Sequence, residues 1–228
     1  MRVWRTVAGF TALVGIMGIA SADAQPARII LLRHGEKKNA QELCDVGNLR
    51  AQALSAQYLG KGAPGNTELF GAGKSPDAFF AVTAHTKETA APSAGTWGKK
   101  LTIFPVLPKD PEEETDLDTQ TQKAAAALDS AEYDGKIVVV VWEHRHIANA
   151  KLDTTFWKLL NLDQLPGSPG VPDTWSGGNY DYFWIVDYAS GNPKPVQWRP
   201  VKQVFSTPYT SIPANQWGDP EPDLPGCK

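Results

Sequence analysis

The four histidines of this 228-residue chain all lie in short polar segments that directly follow apolar runs. They are His34 in segment 33–37, His85 in segment 83–87, and His144 and His146 in segment 143–146. Structural histidines scattered through a fold would rarely collect in this way. A neutral imidazole can act near pH 7 as a nucleophile, a proton carrier or a metal ligand. The pattern therefore predicts a functional site built on histidine.

Phosphoryl transfer is one chemistry that these residues could perform. An imidazole fixed at a strand end can accept a phosphoryl group without a metal, and His34 has such a position. The planar guanidinium of Arg33 suits the equatorial oxygens of the transferred group. Gly35 would let the backbone approach the phosphate closely. We therefore expect His34 and Arg33 to be catalytic and Gly35 to help bind the substrate.

A metal site is the alternative. His144 and His146 are two residues apart, so both could face one side of an extended segment and join His34 around zinc or copper. However, no carboxylate or cysteine stands at a supporting spacing, and Arg33 would repel a cation. The sequence thus favours a site without a metal or another cofactor. It places His146 at the rim of the site or at the start of the next helix.

Strands and helices alternate along the chain and would position these segments. Apolar runs predict strands at 27–32, 78–83, 101–106, 136–142, 182–188 and 201–205. The third strand contains Pro105, which predicts an edge position. Helices are expected at about 47–59 with Asp45 as cap, at 86–97 with Pro92 bending or delimiting it, in an Ala-rich stretch ending near 134, and around 152–160. This order predicts an α/β three-layer sandwich, a mostly parallel sheet with helices on both faces and ligands at the carboxyl ends of the strands.

Composition narrows the range of partners. Hydrophobic residues make up 42% of the chain and charged residues 21%, which is typical of a globular protein. The net charge of −3 provides no basic field for nucleic acid. A small phosphorylated ligand remains compatible with this charge, because a few local cations can hold it. The composition gives no prediction of an oligomeric state.

The first 24 residues are typical of an export signal. Arg2 and Arg5 precede an uncharged apolar stretch from Thr6 to Ala20, and Ala22 and Ala24 supply the small residues of a cleavage site. A retained anchor is the alternative, but the stretch is shorter than the ~20 residues that a bilayer requires. We therefore expect a periplasmic or secreted protein beginning at Gln25, with no membrane contact after cleavage. Residues 25–228 would form one domain with a Pro- and Trp-rich C-terminal extension.

Cys44 and Cys227 are the only cysteines. An oxidising compartment would allow them to pair and would tie the C-terminal tail near the first loop. Two free thiols are the alternative, because sequence does not show whether the two Cα atoms come within reach.

Several of these segments together resemble the histidine phosphatase superfamily and its phosphoglycerate-mutase-like fold. They are Arg33-His34-Gly35-Glu36, the Leu43 to Leu54 segment with Gly47, Arg50 and Ala51, the Thr89-Ala90-Ala91-Pro92 helix, and the strand-terminal His144. The resemblance covers about residues 27 to 162. It implies that His34 is the nucleophile that becomes phosphorylated. It also implies that His144 donates to the phosphoryl oxygens.

The chain departs from this family in its second loop. Relatives usually carry a second arginine four residues before the Thr-Ala pair, and His85 stands there instead. A protonated His85 or a nearby Lys87 could bind phosphate, but neither reproduces a bidentate guanidinium. We expect both among the substrate-binding residues, with reduced affinity or activity. Lys87 could equally be a solvated lysine on a helix.

The general acid is the second departure. Relatives often take a glutamate from the connection after the second loop, where this chain offers Glu112, Glu113 and Glu114. Glu113 and Glu143 are the candidates, although continued strand alternation would point Glu143 away from His144. Glu36 would orient the loop instead.

The predicted function is that of an exported, metal-independent phosphomonoesterase that acts on a small phosphorylated substrate through a phosphohistidine. A mutase of the same fold is a weaker alternative, because export and the lack of a recognisable long lid favour hydrolysis. A second alternative is a phospholigand-binding protein of this fold that has lost turnover. The substitution at His85 and the absence of a clear acid motivate that alternative.

Overall fold

A computed structural model describes residues 24–108, 112–165 and 170–228. The predicted signal peptide lies outside the described residues, apart from its last position. Among the described helices, none has both the length and the apolar character needed to cross a bilayer.

One mixed sheet of six strands forms the centre of the fold, in the order β3-β2-β4-β1-β5-β6. The strands are β1 Arg28–Arg33, β2 Ala78–Ala81, β3 Leu101–Ile103, β4 Ile137–Trp142, β5 Tyr182–Tyr188 and β6 Pro195–Lys202. The first four strands in chain order run parallel, whereas β5 pairs antiparallel with β1 and β6 pairs antiparallel with β5. The predicted mostly parallel sheet is confirmed, and β3 lies at the edge as Pro105 indicated.

The two central strands place the catalytic candidates at the same end of the sheet. β1 and β4 pair in parallel with Arg33 opposite Trp142. All six residues of β4 are buried, as expected for a β-branched strand covered on both faces. Because the two strands end in register, His34 and Glu143 leave the sheet side by side.

Helices cover both faces of the sheet, which confirms the three-layer arrangement. They are α1 Asp45–Leu54, continued by a π-helical turn at Ser55–Leu59, α2 Asn66–Phe70, α3 Ala84–Thr96, α4 Glu113–Leu128, α5 His144–Ile147, α6 Phe156–Leu159 and a 3₁₀ turn at Leu162–Gln164. The first apolar cluster joins α4 and α6 to one face of the sheet. A second cluster joins α1 and α3 to the opposite face.

Several expected helix details differ from the structure. Pro92 lies inside α3 and does not delimit it, and Ala90 and Ala94 on either side of it are buried against the sheet. The Ala-rich helix ends at Leu128 and not near 134. Asp45 is the first helical residue instead of the cap, which is Cys44. The helix expected around 152–160 shortens to α6, because the Thr155 hydroxyl accepts from the Lys158 N–H and fixes the start of the helix there.

The last strand also differs from its predicted position at 201–205. It begins at Pro195 and ends at Lys202, where pairing with β5 stops. Beyond it the Gln203 N–H donates to the Asp181 carbonyl, and the chain leaves the sheet edge. Its pattern was hard to predict because an edge strand tolerates Pro200 and keeps few buried apolar residues.

The C-terminal tail, residues 203–228, returns to the end of the sheet that carries the histidines. Cys44 and Cys227 form a disulfide with their Cα atoms 5.3 Å apart. The last residue, Lys228, donates its N–H to the Lys37 carbonyl at 2.7 Å. The tail is therefore fastened to the loop that follows β1.

Candidate active site

His34 lies at the centre of the site, and its two ring nitrogens have different partners. Its side chain is fully buried. Nδ1 lies 2.6 Å from the Gly35 carbonyl oxygen, and Nε2 lies 3.1 Å from Oε2 of Glu143. A carbonyl oxygen only accepts, so Nδ1 carries the proton and donates it. The neutral ring thus keeps its lone pair on Nε2, as a nucleophile requires.

Gly35 is needed for packing, and the expectation that it also lets the backbone approach a phosphate stays a prediction. A Cβ on Gly35 would lie 2.8 Å from the Gly47 carbonyl oxygen, and one on Gly47 would lie 2.2 Å from that of Glu36. The Gly35 N–H is also engaged, since it donates to the Thr89 hydroxyl at 2.9 Å. The two glycines allow the loop after β1 to lie directly against α1.

Glu36 holds this loop, as the sequence suggested. Its buried carboxylate accepts from Nε and Nη2 of Arg50, the shorter contact being 2.6 Å. Arg50 also donates to the Pro213 carbonyl at 2.9 Å, so the pair links the loop, α1 and the tail.

Glu143 points into the site, so the expectation that it faces away is wrong. The strand ends at Trp142 and α5 begins at His144, which breaks the alternation on which that expectation rested. Its carboxylate lies against His34 and accepts from Lys37 Nζ at 3.0 Å and from the Thr83 hydroxyl at 2.8 Å. A carboxylate with these two donors around it marks the place where the site holds an anion.

Burial and charge together set the protonation of this pair. Burial lowers the pKa of His34 to about 4, although the adjacent Glu143 carboxylate opposes the shift. Burial alone would raise the pKa of Glu143, but the charges and hydrogen bonds of His34 and Lys37 hold it well below its usual range. Neither Nε2 of the neutral ring nor a carboxylate oxygen has a proton to donate. Their 3.1 Å contact is therefore a hydrogen bond only when the pair holds one additional proton.

Arg33 is buried beside His34 but is oriented by the C-terminal part of the chain. It donates to the Gly177 carbonyl and, at 2.9 Å, to the Tyr180 hydroxyl. Its guanidinium carbon lies 3.7 Å from the centre of the Tyr180 ring, a cation–π contact. The Tyr180 hydroxyl in turn donates to Glu221 at 2.6 Å.

His144 and His146 line one cavity but have different neighbours. Because α5 begins at His144, the segment is helical and not extended, as the metal alternative assumed. His146 is buried with Nε2 3.2 Å from Asp118 of α4, which agrees with its predicted place at a helix start. His144 stays near His34, and burial lowers its pKa to about 2, with Arg33 acting in the same direction. Its buried Nδ1 has no hydrogen-bond partner among the described residues.

Within the part of the chain that the structure describes, the group of residues that could hold a metal is His34, Glu143 and His144, whose ligand atoms lie within 4.8 Å of one another. The expectation that no carboxylate supports the histidines is therefore wrong. The ammonium of Lys37 already lies against this carboxylate, and Arg33 adds a second positive charge beside it. The donor set consequently fits an anionic ligand better than a metal cation.

The other predicted binding residues lie farther from His34 Nε2. His85 is buried with its ring centre 5.6 Å from that of His34, and its Nε2 lies 2.8 Å from the Asn39 carbonyl. Burial lowers the pKa of His85, and the charge of Lys37 acts in the same direction, so this ring does not replace a cation. Lys87 is exposed on α3. Glu113 lines the outer part of a cavity of about 220 Å³ that also contains Lys37, Glu143 and His144.

Three residues of the site were not predicted: Lys37, Thr83 and Tyr180. Lys37 follows His34 by three positions and Thr83 ends the predicted second strand, so both stood in the polar segments without a distinguishing signal. Tyr180 lies 147 positions from Arg33, and no local pattern connects them.

No protein-family model matches the chain, and no curated protein matches it. Several solved structures are similar to it. A mycobacterial glucosyl-3-phosphoglycerate phosphatase shares 16% identity over 79% of this chain and 99% of its own, with a TM-score of 0.41. A protein assigned as the phosphohistidine phosphatase SixA of Agrobacterium tumefaciens shares 12% identity over 78% of this chain and 96% of its own, with a TM-score of 0.40. These are similarities only, and the function proposed below rests on the side chains of the site.

Proposed function

We propose that this protein is a phosphomonoesterase that works through a phosphohistidine at His34 and needs no metal. One observation carries the proposal: the neutral His34 ring directs its Nε2 lone pair at an anion-binding position bounded by Lys37 and Thr83. Positioning and positive charge are the main contributions that a protein makes to phosphoryl transfer. The site provides both around one nucleophilic nitrogen.

The first step forms the phosphoenzyme. The Nε2 lone pair of His34 attacks phosphorus, a P–N bond forms and the bond from phosphorus to the ester oxygen breaks. The leaving oxygen takes a proton from Glu143, which takes up this proton from solvent when the incoming phosphoryl group displaces its carboxylate from Lys37, and which releases one proton to solvent again after phosphate has left. We assign the general acid to Glu143 over Glu113, because Glu143 is the carboxyl within 3.1 Å of the nucleophilic nitrogen.

The second step returns the enzyme to its starting state. Glu143, now a carboxylate, takes a proton from water as the water oxygen attacks phosphorus. The P–N bond breaks, inorganic phosphate leaves and the lone pair returns to Nε2. The Nδ1–H bond to the Gly35 carbonyl holds the ring orientation through both steps.

His144 stabilises the transferred group in this proposal. A neutral imidazole can donate from one nitrogen, and the pKa of about 2 keeps His144 neutral across the physiological range. The cavity that His144 shares with Lys37 is open to solvent and provides room for the leaving group. Because His34 is fully buried, substrate entry requires Glu143 to turn aside.

We propose further that the protein is exported and begins at Gln25. The sequence of the first 24 residues motivates this, and the Cys44–Cys227 disulfide is compatible with an oxidising compartment. N-terminal sequencing of the protein recovered from the periplasm or medium tests it. A retained Met1 would contradict it.

Phosphate release by the purified protein tests the activity. The substrates are p-nitrophenyl phosphate and a panel of sugar, nucleotide and amino-acid phosphates, assayed with EDTA. Turnover should survive EDTA and fall at least about 1,000-fold in His34→Ala, while Lys38→Met, at an exposed residue that pairs with Glu42, retains it. Loss of activity with EDTA that zinc restores would contradict the metal-independent route.

A phospholigand-binding protein without turnover is the second candidate. The internal partners of Arg33 and the complete burial of His34 favour it. It predicts saturable phosphate binding with no release from any substrate between pH 4 and pH 8.

A further inference from the structure

Among the described residues, Lys37 is the one whose ammonium group contacts the Glu143 carboxylate. Its Nζ lies 3.0 Å from Oε2 and 3.3 Å from Oε1, and the same Oε2 is 3.1 Å from His34 Nε2. The Lys37 side chain is 30% exposed, so it reaches from solvent into the buried part of the site. Its charge also lowers the pKa of His34, His85 and His144, so the ammonium acts on all three imidazole rings.

We propose that Lys37 is the second phosphate-binding cation of the site, and that its ammonium exchanges the Glu143 carboxylate for the phosphoryl oxygens of the substrate. The inference rests on the proposed function and assigns the charge that the second loop does not supply. In the free protein the carboxylate occupies the anion position. A phosphate group that enters takes over the contacts with Lys37 and the Thr83 hydroxyl, which then donate to phosphoryl oxygens in place of carboxylate oxygens.

The other basic groups near the site are less suited to this role. His85 is buried, neutral and committed to the Asn39 carbonyl. Arg145 is half exposed and pairs with Glu114 at 3.3 Å on the outer wall of the cavity. Both terminal nitrogens of Arg33 already donate to Gly177 and Tyr180, so Arg33 by itself does not provide all the positive charge that a phosphoryl group needs.

The backbone around Lys37 is fixed more firmly than an exposed loop would be. The Lys37 carbonyl accepts from the Lys228 N–H, and Lys37 forms a β-bridge with Leu43. The adjacent Cys44 joins the tail through the disulfide. A lysine on a fixed backbone loses less conformational freedom on binding than one on a loose loop.

Phosphate binding measured by calorimetry tests the proposal without any turnover. Lys37→Met should weaken the binding of inorganic phosphate about 10- to 100-fold, the loss expected for one hydrogen bond to a charged group. Lys37→Arg, which keeps the positive charge, should recover most of the affinity. Lys38→Met is the matched control: it removes the same charge from the next residue, which is 60% exposed and pairs with Glu42. Its phosphate affinity should stay within about twofold of the wild type.

A double variant separates a direct contact with phosphate from an indirect effect through Glu143. In Glu143→Gln the carboxylate charge is absent, so Lys37 no longer has a charge to neutralise. If Lys37 binds phosphate itself, Lys37→Met in the Glu143→Gln background still weakens phosphate binding at least tenfold. If Lys37 only neutralises Glu143, the double variant binds phosphate as well as Glu143→Gln does, and the proposal is overturned.

Other outcomes of these measurements also test the role of Lys37. Equal phosphate affinity in wild type, Lys37→Met and Lys38→Met overturns the proposal, and so does the absence of phosphate binding in both wild type and Glu143→Gln. A protein that releases no phosphate from any ester, yet binds phosphate through Lys37, would refute the proposed phosphatase function and retain the role of Lys37. A loss of folding is recognised by circular dichroism, and Lys37→Gln, which keeps a polar side chain without the charge, is then measured in place of Lys37→Met with the same two outcomes.

Discussion

The end of the central sheet and the C-terminal tail, residues 203–228, contribute to the same site in different ways. At the sheet end, His34 and Glu143 meet because the strands before them pair in parallel and stop in register. In the tail, Glu221 reaches the site through polar contacts and one disulfide holds the last residues in place. The first arrangement follows from burying two apolar strands. The second depends on individual hydrogen bonds between distant positions.

The two regions therefore have different tasks. The groups that we propose to react lie at the ends of fully buried strands, which fix their positions. The tail contacts the backbone of Lys37 and acts on Arg33 through the hydrogen bond between Tyr180 and Glu221, so it orients the groups that we propose to hold the substrate. We therefore expect changes at the sheet end to affect kcat most strongly, and changes in the tail to affect stability and KM.

The largest effect should come from Glu143→Gln. An amide cannot deliver a proton, so kcat/KM for alkyl phosphates, which reports formation of the phosphoenzyme, should fall about 100- to 10,000-fold. The fall in kcat/KM should be much smaller for p-nitrophenyl phosphate, because its leaving group needs no acid. Hydrolysis of the phosphoenzyme, in which Glu143 is the proposed base, slows equally for both substrates. Parallel kcat/KM measurements on the two substrates check the prediction, with Glu114→Gln as the control. Equal losses in kcat/KM on both substrates would show that Glu143 is not the acid.

Removal of the disulfide should have the next largest effect, on stability. Cys227→Ser opens a loop of 183 residues, and the loop-closure model predicts a loss of about 3–5 kcal/mol in the free energy of unfolding. Urea denaturation with and without a dithiol reductant measures it. At temperatures where the variant stays folded, kcat should change less than threefold. A large fall in kcat in the folded variant would show that the tail, like the sheet end, affects the chemical step.

The pH dependence of stability tests the buried histidine at the sheet end. His34 stays neutral in the folded protein down to about pH 4, whereas an exposed histidine in the unfolded chain takes up a proton near pH 6.5. The unfolded state therefore binds more protons in this window, and stability falls as the pH falls from about 6.5 to about 4. His34 should account for up to about 3 kcal/mol of that loss. Unfolding curves of wild type and His34→Asn compare the two slopes. Parallel slopes would mean that His34 is already protonated in the fold.

Tyr180→Phe should give the smallest effect. It removes the hydroxyl between Arg33 and Glu221 and keeps the ring beneath the guanidinium. We expect KM to rise about three- to tenfold with kcat nearly unchanged, because Arg33 loses one hydrogen bond that orients it. Tyr182→Phe, in the adjacent strand, is the control. A larger effect on kcat than on KM would show that the contact of Tyr180 with the tail affects the chemical step.

The chemistry of the site could be predicted from the sequence to a considerable extent. His34 and Arg33 follow the first apolar run, and His144 follows the strongest one, so a parallel sheet had to bring them to one edge. The same reasoning placed β3 at the edge of the sheet. It failed for Glu143, since alternation along a strand says nothing once the strand has ended and a helix begins.

The sequence by itself determined the layered sheet and the loops in which chemistry is possible, because both follow from short-range patterns of apolar and polar residues. Only the tertiary structure decided which donors surround Glu143, which partner orients Arg33, and that Gly35 and Gly47 allow two backbone segments to touch. The pairing of Cys44 with Cys227 was decided in the same way. The physical reason is that a hydrogen bond or a disulfide depends on distances of a few ångströms between residues far apart in the chain. The periodicity of apolar residues along the sequence indicates which residues are buried, but it does not give those distances.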